Sequence, residues 1–294
     1  MIQSPNRCVL SIDVEDWFHI LDLPSTPDLA EWDHLPSRVE HNFIRLLDIA
    51  SDYNAHCTCF FLGWVGKRFP HLVKEAVKRG HEIASHGWAH RLAYNLTAEE
   101  FYEDAARSKY ELEDISGHRV LGYRSAGFSL SNENTWVFDQ LLRAGYVYDS
   151  SVFPAHHSHG GWQNSEVSPY LVKRSEGTLL EFPMTTERVF GKPMCFFGGG
   201  YLRFFPLAVI QSMTEGVLQH GRPVIFYIHP REIDPGQPRL KMGHLRRFKS
   251  YVNLDSTESK LRQLLETFEF VTLEALVAEM STPVPQPTQM QAAV

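Results

Sequence analysis

The sequence predicts an α/β protein whose strands run parallel. Apolar strand segments alternate with amphipathic helices along most of the 294 residues, and that alternation is typical of a parallel sheet with helical crossovers. Polar residues able to carry chemistry follow at least five different strand segments: Asp13, His86, Arg124, Asp149 and His229. An open sheet gathers its ligands between two or three strands, whereas a barrel brings many strand ends around one pocket. The pattern therefore favours a closed barrel over an open sheet.

Short apolar segments mark the strands. We predict them at 9–12, 57–62, 82–84, 119–123, 146–148, 170–173, 178–182 and 223–228. Helices are predicted at 70–79, 132–144, 206–219 and 257–268, and after each of the capping boxes Ser37-x-x-Glu40 and Thr97-x-x-Glu100. The polar segments 153–169 and 231–253 are predicted to be long loops.

Composition indicates one globular domain with an ample core, over residues 1–280. The chain is 43% hydrophobic and 21% charged, with a formal net charge of −7 and no long basic run. We therefore expect neither a nucleic-acid partner nor an anionic-membrane partner. No apolar run reaches 18 residues and no signal core precedes the first strand, so we expect no membrane span and a cytoplasmic location. Residues 281–294, rich in Pro, Gln and Thr, are predicted to be a disordered tail, and the four cysteines to be small buried hydrophobes.

Two histidines four residues apart are the first sign of a metal site. In an extended strand the Cα atoms of His86 and His90 would lie about 13 Å apart, too far for one ion. A helical turn would place both side chains on one face, so we predict a single helical turn after the strand at 82–84. An ordinary pair of histidines on a surface helix fits the same spacing.

Three carboxylates near the first strand could complete this site. Asp13 stands at the strand end; Glu15 points to the same side if the chain stays extended, and Asp16 does so only if the backbone turns. The alternative is a solvated acidic turn that caps a helix. Two imidazoles and one carboxylate leave an open position on a divalent ion, which is typical of a catalytic site. Asp13 could then be a general base, and His229, which follows an apolar strand, a general acid or a core histidine.

These residues resemble one known family. The segments that carry the resemblance are Ser11-Ile12-Asp13-Val14-Glu15-Asp16, Ser85-His86-Gly87-Trp88-Ala89-His90, Tyr123-Arg124-Ser125-Ala126-Gly127-Phe128, Tyr148-Asp149-Ser150-Ser151 and Ile228-His229. In this order they look like the five motifs of a polysaccharide deacetylase of the NodB-homology type, a family-four carbohydrate esterase. Ala126 departs from the family pattern, which usually has proline. One subgroup of this family is found with exopolysaccharide and exosortase systems. The chain resembles that subgroup in the residues of the acidic segment and in the segments 197–203 and 226–238. The resemblance also implies a C-terminal family extension at about 230–280.

The resemblance implies a deformed (β/α)7 barrel that hydrolyses the N-acetyl group of a glycan. It implies Asp13 as base and His229 as acid, with Arg124 and Asp149 as further catalytic residues. It also implies His86 and His90 as ligands of a divalent ion, most often zinc; Glu15 is our first choice for the third ligand and Asp16 the second. Substrate contacts are expected from Phe128, Trp88 and Tyr148. Two alternatives stay open: hydrolysis of a cyclic imide or ureide on the same scaffold, and an inactive glycan-binding module.

Overall fold

The computed structural model describes residues 7–21 and 23–281, and the predicted tail lies outside them except for Ser281. The strands are β1 (Cys8–Val14), β2 (Cys57–Phe61), β3 (Glu82–Ser85), β4 (Gly122–Tyr123), β5 (Tyr148–Asp149), β6 (Tyr170–Arg174), β7 (Gly177–Glu181), β8 (Glu187–Val189), β9 (Lys192–Met194) and β10 (Val224–Ile228). The α-helices are α1 (Val39–Asp52), α2 (Gly63–Arg68), α3 (Pro70–Lys78), α4 (Ala98–Ser116), α5 (Val137–Arg143), α6 (Gly199–Phe204), α7 (Leu207–Gln219), α8 (His244–Tyr251), α9 (Thr257–Thr267) and α10 (Leu273–Ser281).

A curled eight-stranded sheet forms the centre of the molecule, in the order β10-β1-β2-β3-β4-β5-β7-β6. Every neighbouring pair is parallel except β6 and β7, which form an antiparallel hairpin. The seven parallel strands make the deformed (β/α)7 barrel that the sequence predicted. β1 is buried along its whole length, as expected of a strand covered on both faces.

Irregular segments that follow β7 and β9 bond to β10, one of the two end strands of the sheet. The amide of Tyr227 donates to the carbonyl of Phe197 at 3.0 Å, and the amide of Ile225 donates to the hydroxyl of Thr185 at 2.8 Å. These bonds satisfy the outer side of β10 without a continuous ladder. The carboxyl ends of β10, β1, β2, β3, β4 and β5 consequently surround one end of the barrel.

Two helix starts show how local chemistry sets the boundaries. Thr97 caps α4 through the predicted capping box with Glu100. At α1 the predicted box does not form: Arg38 is the N-cap residue, and the hydroxyl of Ser37 donates to Asp16 instead. That part of the prediction is wrong because a tertiary carboxylate takes the place of the local partner.

The predicted loop at 231–253 contains a helix, α8. Only Tyr251 of this helix is buried, packing with Ile20 and Leu254, so no inward apolar stripe marks it in the sequence. Within the described part of the chain, no helix is both long enough and apolar enough to cross a bilayer. All four cysteines are buried and reduced.

Candidate active site

The end of β1 brings two carboxylates to the floor of a pocket. Asp13 lies in the strand and Glu15 just beyond it, and both are buried. The amide of Glu15 donates to the carbonyl oxygen of Asp13 at 2.9 Å, which forms a tight turn. Both side chains line the same cavity, of about 530 Å³.

Glu15 lies against both imidazoles of the histidine segment. Its Oε1 is 3.1 Å from Nε2 of His86 and 2.9 Å from Nε2 of His90. Nδ1 of His86 lies 2.8 Å from the carbonyl oxygen of Arg124; donation there leaves the Nε2 lone pair facing Glu15. Nε2 of His90 is buried and has no well-directed hydrogen bond to any described residue. Glu15, His86 and His90 thus offer three potential metal-ligand atoms within 4.8 Å of one another, and one of these atoms lacks a hydrogen bond among the residues described. This arrangement fits a divalent ion.

A loop, not the predicted helical turn, brings the two histidines together. Gly87 and His90 adopt left-handed φ angles of 74° and 52°, and the centroids of the His86 and His90 rings are 5.1 Å apart. A Cβ at Gly87 would lie 2.8 Å from the carboxylate of Asp104, so glycine is required on two counts. The helical-turn prediction is wrong because left-handed residues fold the chain back as tightly as a helix does.

Arg124 supplies the positive charge beside Asp13. Its Nη1 donates to Oδ1 of Asp13 at 2.7 Å and to the hydroxyl of Ser11 at 2.8 Å. The guanidinium is fully buried and lies 4.0 Å from the ring centroid of Phe60. The carbonyl and hydroxyl of Ser150 accept from its other nitrogens. This network holds Asp13 in one orientation.

His229 completes the group from the end of β10. Its Nε2 is 3.6 Å from Oε1 of Glu15 and 3.9 Å from Oδ2 of Asp13, and its Nδ1 is 3.5 Å from Oε2 of Glu232. Glu232 also pairs with Arg203 at 2.5 Å, and both are buried. Burial disfavours the Glu232 charge, but Arg203 and His229 outweigh it and lower its pKa to about 2. Sequence reasoning missed Glu232 and Arg203, although a Glu three residues after the histidine was a usable signal.

Asp16 points away from this group. Its carboxylate accepts from the amides of Trp17, Arg38 and Val39 and from the hydroxyl of Ser37. These contacts join the end of β1 to the start of α1. The backbone turn that would have aimed Asp16 at the histidines is used for helix capping instead.

Asp149 lies beneath the pocket and does not line it. Its Oδ1 accepts from the hydroxyl of Ser151, whose oxygen in turn accepts from the amide of Ser125. Asp149 and Glu181 are register partners on the neighbouring strands β5 and β7, and their buried carboxyl groups interact. Burial raises the pKa of Asp149 to about 6, and burial with repulsion from Asp149 raises the pKa of Glu181 well above its ordinary value. The pair therefore keeps a proton and fixes the segment that follows Arg124.

Of the three expected substrate contacts, one lines the pocket. Phe128 does so, with its ring 5.1 Å from that of Tyr227. Trp88 packs under Arg107, whose guanidinium is 3.6 Å from the ring centroid, and Tyr148 donates from inside the barrel to Glu82 at 2.6 Å. The loop histidines also contribute to the pocket wall: His156, His157 and His159.

Two family models match consecutive parts of the chain. Residues 30–147 match polysaccharide deacetylase, and residues 150–278 match a domain of unknown function, DUF3473. Residues 30–147 are therefore similar to the polysaccharide deacetylases. The first match contains His86, His90 and Arg124, and the second contains His229 and Glu232.

Individual proteins agree with this family and with the fold. Over 123 residues the chain is 30% identical to peptidoglycan-N-acetylglucosamine deacetylase of Bacillus cereus, covering 42% of this chain and 55% of that one. The chain thus spans about half the length of that curated relative. A candidate polysaccharide deacetylase from Mycobacterium smegmatis superposes with a TM-score of 0.62 at 18% identity, over 97% of this chain and 95% of that one. Puue allantoinase superposes with a TM-score of 0.61 at 16% identity, over 96% and 91%. At these identities the two structures establish the shared fold.

Proposed function

We propose that this protein is a metal-dependent hydrolase that removes N-acetyl groups from an N-acetylated sugar polymer or oligosaccharide and releases acetate. The observation that carries the proposal is the contact of Glu15 with both histidine nitrogens, 3.1 and 2.9 Å away, beside the Asp13–Arg124 pair. The Bacillus cereus relative, named as a deacetylase of N-acetylglucosamine in peptidoglycan, supports the substrate class.

Glu15, His86 and His90 would hold the metal ion. Two imidazole nitrogens and one carboxylate oxygen are ligands that suit zinc and leave a position open. A bound ion of this kind lowers the pKa of water to about 7 and polarises a carbonyl oxygen. The carbonyl of Arg124 orients His86 toward that position through its Nδ1–H.

Asp13 is the general base in this proposal. It takes a proton from the attacking water, while Arg124 holds the carboxylate in place through Nη1. Arg124 is buried beneath Asp13, so it positions the base and does not contact the substrate. Asp149 acts one step further away, through Ser151 and the backbone of Ser125.

His229 is the general acid. It donates a proton from Nε2 to the sugar nitrogen as the C–N bond breaks, so the products are acetate and a free amine. Glu232, charged and fixed by Arg203, faces Nδ1 of His229 and stabilises the protonated ring. Phe128 forms an apolar part of the pocket wall and packs against Tyr227.

Acetate release from N-acetylglucosamine oligomers tests the proposal. We expect activity with zinc, loss of activity with chelator, and recovery when zinc is restored. His90→Ala should lose both bound zinc and acetate release, whereas the matched change His220→Ala, at the exposed C-cap histidine that follows α7, should lose neither. Unchanged zinc content in His90→Ala, or acetate release that ignores the chelator, would contradict the assignment. Turnover of allantoin without turnover of any acetylated sugar would favour the ureide alternative.

A further inference from the structure

One side of the pocket opening is lined by apolar and basic side chains that face solvent. Phe204 on α6 is 54% exposed, and Leu245 and Phe248 on α8 are 70% and 51% exposed. The rings of Phe204 and Phe248 lie 6.0 Å apart. Leu245 and Phe248 are three residues apart, so they share a helix face. All three line the cavity that holds Glu15.

Positive charges lie on the same helix. Arg246, Arg247 and Lys249 belong to the segment 235–254, which contains five Lys or Arg residues and no Asp or Glu, in a chain whose net charge is −7. Arg247 and Lys249 are exposed, and Arg246 and Lys249 line the pocket. We call the six side chains the basic apolar rim: Phe204, Leu245, Arg246, Arg247, Phe248 and Lys249.

The fold holds this rim in place. At the C-terminal end of α8, Tyr251 is buried with Ile20 and Leu254, and its hydroxyl accepts from the amide of Leu240 at 3.1 Å. The buried Arg203 donates to the carbonyl of Lys249 at 2.7 Å. The exposed apolar side chains are therefore presented by a fixed helix, and their exposure needs a partner to explain it.

The chemistry of the rim identifies that partner. An N-acetylated sugar is neutral and its deacetylated product is cationic, so neither is attracted by a cluster of Arg and Lys. A leucine with 70% of its surface exposed also gives no flat face for a sugar ring to stack on. Exposed apolar side chains beside basic ones on the same helix suit a bilayer surface. The apolar side chains enter the acyl boundary and the basic ones meet anionic headgroups.

We propose that the basic apolar rim docks on an anionic lipid surface. Docking places the pocket opening at the headgroups, so the acetylated sugars that it receives are those carried by membrane lipids; this second step rests on the proposed deacetylase function. The overall charge of −7 argued against such a partner, but the segment 235–254 reverses the sign locally at the pocket.

Vesicle sedimentation with the purified full chain tests the docking without using activity. We expect binding to vesicles of phosphatidylglycerol and phosphatidylcholine, weak binding to phosphatidylcholine alone, and release at high salt, which shortens the Debye length to about 3 Å at 1 M. The triple change Arg246→Gln, Arg247→Gln, Lys249→Gln should lower the partition coefficient about 100-fold, at roughly fivefold per charge. Leu245→Ser with Phe248→Ser should lower it on the order of tenfold per side chain.

The matched control is Phe190→Ser on the β8–β9 hairpin. Phe190 is fully exposed, but its hairpin is tied by Glu187 to Arg222, just before β10 and so at the opposite end of the barrel from the pocket. This variant should bind vesicles as the wild type does. Thermal melting checks that each variant is folded.

Equal binding to both vesicle types, equal binding of the rim variants, or capture of a soluble acidic glycan in place of vesicles would overturn the proposal. Because acetate release from soluble oligomers is measured separately, failure of docking leaves the proposed deacetylase function standing. Failure of acetate release would likewise leave the docking result intact.

Discussion

Replacing Glu15 by Gln and, separately, Asp16 by Asn tests which of two adjacent carboxylates holds the metal. Glu15→Gln keeps the size of the side chain but removes the charge that faces His86 and His90. Asp16→Asn leaves those contacts intact and changes the cap of α1 instead. The two variants should therefore fail in different ways.

The contacts of each carboxylate set the size of each effect. Zinc that binds only the folded protein at 1,000 times its Kd stabilises it by about 4 kcal/mol, which is roughly 8 °C in Tm for a domain of this size. Glu15→Gln should lose this stabilisation by zinc. Asp16→Asn turns an amide toward the Ser37 hydroxyl and two backbone N–H groups, so a buried donor loses its acceptor at a cost of about 1–3 kcal/mol. Its Tm should fall by roughly 2–6 °C whether or not zinc is present.

Calorimetry of chelator-treated protein, with and without added zinc, separates the two losses, and metal analysis gives the stoichiometry. The informative quantity is the difference in Tm between the two conditions for each variant. An Asp16→Asn protein that no longer responds to zinc, beside a Glu15→Gln protein that still does, would refute the assignment of Glu15. A zinc response retained by both variants would remove the whole segment from the metal site.

Two further predictions concern other buried carboxyls. Asp13→Asn should keep zinc while acetate release falls at least 10²–10⁴-fold, since the base is lost and no ligand is; retained turnover would exclude Asp13 as the base. Burial raises the pKa of Glu82 to about 7, from 4.5. Between pH 4.5 and pH 7, Glu82 is deprotonated in the unfolded chain but still protonated in the folded protein. The free energy of unfolding therefore falls by about 2 kcal/mol from pH 5 to pH 7. Glu82→Gln should abolish that part of the decline in urea titrations at the two pH values, and an unchanged slope would contradict it.

The sequence predicted the elements whose signals are local. β1, β2, β10, α3, α7 and α9 lie within two residues of their predicted positions, because each is a buried apolar run or has an amphipathic period. It failed where tertiary contacts decide. In α8 the residues Leu245 and Phe248 are exposed and only Tyr251 is buried. The helix therefore lacks the periodic buried apolar residues from which a helix is predicted. The loop around Gly87 depends on left-handed φ angles, which spacing alone cannot distinguish from a helical turn.

The candidate site shows the same division. Asp13, His86, Arg124 and His229 each stand at or just after the end of a predicted strand. Because parallel strands have their carboxyl ends on one side of the barrel, the sequence predicted that these residues lie together. Position at a strand end does not, however, predict the role of each acidic residue. Asp149 also follows a strand, yet it lies beneath the pocket because its partner Glu181 is on the next strand.

What separates the buried acids from one another is the partner that each one meets. Asp13 faces a guanidinium, which suits a carboxylate that must accept a proton in one orientation. Glu15 faces two imidazole nitrogens, which suits a shared cation. Asp16 faces N–H and O–H donors, which makes it a cap, and Asp149 faces another carboxyl, which keeps a proton between them. Three of these acids lie within four consecutive positions at the end of one strand. What distinguishes their chemistry is therefore mainly the set of partners from distant parts of the sequence, such as Arg124 for Asp13, His86 and His90 for Glu15, and Arg38 for Asp16.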